Sequence, residues 1–182
     1  GPAVLGTTAH TVTILGDDTA AVAQYDATVA GAYTIRRNGG NLEILQGAVV
    51  VASVPIGASS QFVFNGTGGA DTLTLDYSGG LLTTPILFAA GAGVDTIVMT
   101  GGGPFATVTH TFVNDTDGSI AVTGNGLVTY TGLNPVIDNL VVANRVFTFT
   151  GGTETITVTD TGGADNMQTI DSTLGESVAF VS

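Results

Sequence analysis

The sequence predicts an all-β protein, a right-handed parallel β-solenoid of about six or seven rungs, with a β-sandwich of the adhesin type as the other architecture its strands accept. Three observations lead there. No apolar set recurs at three-to-four spacing over ten residues, and a chain with 27 Gly, no Lys and only three Glu is poor in helix formers. Gly, Asn, Asp or Pro fills nearly every gap between short alternating runs. The third observation is a repeat, which decides between the two architectures. Sliding the chain by 24 residues lays Phe64 on Phe88, Gly69 on Gly93, Asp71 on Asp95 and Thr72 on Thr96, and a second slide brings in Phe112. A period near 24 with glycine turns in fixed phase suits one rung of a solenoid better than the hairpins of a sandwich.

Taken in order, alternation places strands at 11–15, 42–45, 49–54, 62–64, 72–75, 86–88, 96–99, 107–112, 120–123, 127–130, 145–149, 155–159 and 178–181. An acid followed by Thr opens several of them: "DTAAV" from Asp18, "DTLTL" from Asp71, "DTIVM" from Asp95 and "ETITV" from Glu154. Weaker copies fall at "NGGNLEIL" and at "TGGADNMQTI". The 24-residue phase makes Phe64, Phe88 and Phe112 an aromatic ladder inside the coil. Residues 1–2, "GP", read as the scar of a tag-cleaving protease, and residues 3–182 read as one solenoid domain, a fragment of a longer repeat array.

Charge narrows the function. Fifteen acids against three Arg give a formal net charge of -12, which leaves almost nothing to displace counterions from nucleic acid or anionic lipid. No window approaches the apolar length of a membrane span, so the expected partners include neither nucleic acid nor a bilayer. Without Cys there are no disulfides and no thiol chemistry. No G-x-S-x-G occurs, and His10 and His110 stand alone, with His110 expected as an ordinary surface residue. The chain is therefore expected not to be an enzyme. Thr-x-Thr pairs such as Thr72/Thr74 fall out of the 24-residue phase, since Thr74 lands on Val98, and so read as strand formers.

The acids at the glycine corners invite one chemistry. Counting back from Asp71, Gly69 and Gly66 fit the calcium-binding nonapeptide GGxGxDxUx, while Thr67 replaces its second Gly. The Asp95 copy keeps Gly91 and Gly93, and the Asp165 copy keeps Gly163 alone. Glycine turns supply carbonyls and Asp supplies charge, which are the hard oxygen ligands of Ca²⁺. Asp71, Asp95 and Asp165 are accordingly candidate calcium ligands. Asp115 and Asp117 join them from "NDTDGS", the front of a calcium loop that lacks the distal Glu. The competing reading is that each Asp caps its turn by accepting backbone N–H groups. On that reading Asp71→Asn should be nearly neutral, and no cofactor beyond Ca²⁺ is implied by either.

The segments "GTGGADTLTLDYSGG", "VTYTGLNPVIDNL", "RVFTFTGGTETITVTD" and "IDSTLGESVAF" resemble the glycine- and aspartate-rich β-strand-repeat modules of very large secreted bacterial surface proteins, relatives in style of RTX repeats. The resemblance covers most of the chain. It implies an extracellular, cell-surface module that stacks in an array or filament with neighbouring copies or flanking modules, or else a calcium-dependent adhesin that binds a glycan or protein. The nonapeptides here are sparser than in regular RTX arrays.

Overall fold

In a computed structural model, residues 13–15, 21–149, 152–160, 162 and 166–182 are described. They contain no helix. Two sheets face each other and run parallel through a shared core, so the chain is a β-solenoid of about four turns. One sheet stacks β2 (Val22–Asp26), β6 (Gln61–Asn65), β8 (Ile86–Ala89) and β12 (Val128–Thr131). The other stacks β3 (Ala32–Asn38), β7 (Thr72–Asp76), β9 (Thr96–Thr100), β13 (Val136–Asp138) and β17 (Val178–Val181).

The 24-residue phase holds for the first slide and not for the second, which brings in Phe112. Phe64 pairs with Phe88, and Thr72 with Thr96. It fails on either side, because the corresponding corner positions Gly31 and Asp71 are 40 residues apart. Chain that the period assigned to further rungs forms antiparallel additions instead, which is why six or seven rungs become about four. β4 (Asn41–Gln46) and β5 (Val49–Pro55) extend the second sheet beyond β3. β10 (Phe105–Phe112) and β11 (Gly118–Val122) add to the first sheet beyond β12, and β14 (Val142–Thr148) lies parallel to β10 at its edge. β15 (Ile156–Asp160) and β16 (Met167–Ser172) finish the second sheet beyond β17, and β1 (Thr13–Leu15) pairs with β2 at the far edge of the first.

The aromatic ladder exists with one member exchanged. Strand register stacks Tyr25, Phe64, Phe88 and Tyr130, all fully buried, with ring centroids 5.5 Å apart for Tyr25–Phe64 and 5.7 Å for Phe64–Phe88. Tyr130 takes the place expected of Phe112, because the β10–β11 hairpin intervenes before the next rung. Phe112 is buried further out, its ring 5.0 Å from that of Phe149. Strict alternation of inward and outward side chains turns Tyr33, Leu73, Ile97, Val136 and Val178 of the opposing sheet into a second apolar ladder. The ladder beside it runs Ile35, Leu75, Met99, Asp138, Phe180. A carboxylate thus stands in an apolar column.

Candidate functional site

The glycine corners are built for close stacking. A Cβ on Gly91, whose φ is +98°, would lie 2.1 Å from the carbonyl oxygen of Thr67 one rung back, so only glycine lets the corners touch backbone to backbone. Into this contact the corner acids direct their carboxylates. Asp71 Oδ1 accepts the N–H of Gly31 at 2.8 Å, and its Oδ2 accepts both the N–H and the hydroxyl of Thr67, at 2.6 and 2.8 Å. Asp95 Oδ1 accepts the N–H of Asp71 at 2.7 Å. Each acid therefore ties its own rung to the one before, and the two side chains point along the coil in series rather than converging on a shared space. Both are buried. Burial pushes the Asp95 carboxyl up, and the neighbouring Asp71 charge adds to this against the lowering effect of the Asp71 N–H.

This geometry supports capping, and it changes the expected result at Asp71. Both oxygens accept backbone N–H groups, so an amide there must turn its NH₂ toward one of those donors. Asp71→Asn is expected to lower stability by about 1–3 kcal/mol with or without calcium. Thermal melts in Ca²⁺ and in equimolar Mg²⁺ should shift alike, through screening of the net charge alone. A rise specific to Ca²⁺ that Asp71→Asn abolishes would contradict the capping account.

In the turn 114–119, Asn114 Oδ1 accepts the N–H groups of Thr116 and Asp117, both at 2.8 Å. Asp117 reaches across to the next corner, where its Oδ1 accepts the Gly132 N–H at 3.0 Å. The amide of Asn114 holds the Asp117 carboxyl below its usual value, with help from Gly132 and Thr116. Asp115 is exposed. The candidates Asp165 and His10 lie outside the described residues. Among the described residues, no group of three or more His, Asp or Glu is arranged to hold a metal ion.

The column-breaking Asp138 is the centre of a buried polar cluster. Its Oδ2 lies 3.1 Å from His110 Nε2 and 3.0 Å from Arg145 Nε, and its Oδ1 accepts the Leu140 N–H at 2.9 Å. Burial alone would raise the Asp138 carboxyl. The bonds from His110, Arg145 and Leu140 outweigh it and hold the group below the ordinary carboxylate value, so it is ionised. Arg145 also donates to the carbonyls of Val181 and Leu140 and places its guanidinium over the Phe180 ring, 5.5 Å from the centroid. His110 is not on the surface. It has no exposed area and stacks on Phe147 at 5.3 Å, because it shares its strand face with the buried Val108 and Phe112. Its Nδ1 has no hydrogen-bond partner among the described residues. A carboxylate and an imidazole with no exposed area, together with a guanidinium whose side chain is 12% exposed, bind the first sheet to the second.

Glu176 is the other buried acid that sequence reasoning passed over. Its Oε1 accepts the Ser177 N–H at 2.9 Å, and Oε2 has no partner among the described residues. Burial pushes its carboxyl up to about 7, with the charges of Asp115 and Asp171 adding to the rise and Ser177 opposing it. A native carboxyl raised above its unfolded value holds its proton longer than the unfolded chain does. Its contribution to stability therefore falls as pH rises from about 4.5 through about 7. Glu176→Gln should match the wild-type melting temperature near pH 4.5 and exceed it by pH 8, by on the order of 2 kcal/mol. A difference that stays flat across this range would contradict the assignment.

No family model, curated protein or solved structure matches this chain.

Proposed function

We propose that this chain is a non-enzymatic structural module of an extracellular bacterial surface protein, which stacks end to end with neighbouring copies or flanking modules of the same protein. The observation that carries the reading is the way the sheets end. β1 and β14 bound the first sheet, and β5 and β15 the second, each with a free edge among the described residues. A solenoid hides its backbone everywhere except at these two ends, where a further rung can add. On this reading stacking prolongs a right-handed coil beyond the four turns of one chain.

The remaining features fit a scaffold. The corner acids are spent on joining rungs, and the buried cluster on joining sheets. The surface placement rests on the resemblance to secreted repeat modules. No helix among the described residues is long and apolar enough to cross a membrane. Small-angle X-ray scattering at rising concentration tests the reading: the maximum dimension should grow while the cross-section stays constant. A size independent of concentration, or growth in thickness, would contradict it.

A further inference from the structure

The chain holds three Asn–Gly steps, Asn38–Gly39, Asn65–Gly66 and Asn125–Gly126. Such a step carries its own chemistry, because the backbone nitrogen of a glycine, with no Cβ to shield it, can attack the side-chain amide of the asparagine before it. The structure treats the three differently. Gly66 N–H donates to the carbonyl of Ala89 on the next rung, and Gly126 N–H to that of Leu82, both at 2.8 Å. Each is also tightly packed: a Cβ on Gly66 would lie 2.2 Å from the Ala90 oxygen, and one on Gly126 would lie 2.6 Å from the Pro85 nitrogen. Their asparagines are held as well. Asn65 Nδ2 donates to Asp26 at 2.6 Å, and Asn125 Oδ1 accepts the Leu82 N–H at 2.8 Å.

Asn38–Gly39 is the exception. It lies at the tip of the β3–β4 hairpin, where Asn38 faces Asn41 and the two glycines between them form the turn. Asn38, Gly39 and Gly40 are all exposed, and the space that a Cβ on either glycine would enter is open to 4 Å. The Gly39 carbonyl accepts Arg37 Nε at 2.9 Å, but the Gly39 N–H donates to none of the described residues. The Asn38 side chain has one tie among them, from Nδ2 to Glu43 Oε1 at 2.9 Å. Both reacting groups of this step are therefore free of the neighbouring rungs, and the tip has room to turn one toward the other.

We propose that Asn38 is a site of spontaneous deamidation, selected by the fold from three steps that the sequence makes equivalent. In mildly alkaline solution the Gly39 amide gives its proton to hydroxide, and its nitrogen attacks Asn38 Cγ. The new N–C bond closes a five-membered imide as the Cγ–Nδ2 bond breaks, and ammonia leaves with a proton taken from water. Water then opens the ring at either carbonyl. One opening gives aspartate, and the other gives isoaspartate, which puts an extra methylene into the main chain where the β3–β4 pairing closes. Either product adds one negative charge and removes the donor that Asn38 gives to Glu43, so two carboxylates then share the hairpin end with Arg36.

Ageing the folded protein in mildly alkaline buffer tests the assignment, with peptide mapping by mass spectrometry and enzymatic methylation of isoaspartate as the readouts. The mass gain of an amide turned to an acid should appear at Asn38 at least ~10-fold faster than at Asn65 or Asn125, which must wait for their rungs to open. In denaturant the three should react at similar rates. Asn38→Gln, at an exposed site, has a longer side chain that would have to close a six-membered ring. It should keep the wild-type melting temperature and lose the early gain. A gain that comes first at Asn65 or Asn125, or that persists undiminished in Asn38→Gln, would overturn the proposal. So would an Asn38 that stays intact in the folded protein over the time in which the denatured chain reacts.

Discussion

Asp138→Ala is expected to destabilise the protein by about 3–5 kcal/mol, the cost of leaving a buried charge without its partner. Removing the carboxylate strands the Arg145 guanidinium, whose side chain is only 12% exposed, and deprives His110 Nε2 of its acceptor. The loss should appear in chemical denaturation as a lower midpoint with an unchanged slope. His110→Ala should also cost well over 1 kcal/mol, since it empties a buried site beside Phe147 and removes one donor to Asp138. Replacing Asp138, His110 and Arg145 together by apolar residues of similar volume should recover much of the loss, as buried ion clusters often permit. A loss below about 1 kcal/mol for Asp138→Ala would mean that the cluster is open to water.

Phe64→Ala and Phe88→Ala should each cost about 3–5 kcal/mol, through lost burial and the cavity left between the sheets. The more discriminating result is their coupling. Phe64 and Phe88 touch edge to face, so their double mutant should depart from additivity by about 0.5–1.5 kcal/mol. Phe88 and Tyr130 are paired in register and should couple as well. Phe88 and Phe112 occupy strands separated by β12 and β11, and should be additive. Coupling of Phe88 to Phe112 instead of Tyr130 would restore an unbroken 24-residue coil.

The contrast between Tyr130 and Phe112 shows what the sequence could and could not reveal. Where two rungs follow one another directly, as β6–β7 and β8–β9 do, the repeat is visible because corner, strand and core positions all recur in step. Where a hairpin is inserted, the superposition still finds a Phe at the expected distance, and alternation cannot say which sheet it joins. The strands β2, β3, β13 and β16 escaped notice for a related reason. "VAQYD" and "AYTIRRN" carry polar or charged residues on their outward faces, and "VID" and "MQTIDS" place an acid or a serine on the inward one.

Asp71 and Asp95 were legible as corner residues, and the donors that their carboxylates accept were not. Asp71 and Asp95 accept N–H groups from positions 40 and 24 residues away, contacts that no local motif encodes. His110 and Asp138 had a usable signal in parity. Each sits two positions from buried apolar residues on its own strand, Val108 and Phe112 for the one and Val136 for the other. Their polarity argued for the surface, and the pairing between them, which makes burial tolerable, spans 28 residues.

The central claim is the parallel stacking of rungs 24 residues apart, and an isotope-edited nuclear Overhauser experiment on the strands 72–76 and 96–100 tests it most directly. The register predicts Hα-to-amide contacts joining Leu73 to Ile97 and Leu75 to Met99 and their sequence neighbours, running in the same direction along both strands. Strong Hα–Hα contacts that pair the start of one strand with the end of the other would show an antiparallel hairpin, and would contradict the solenoid.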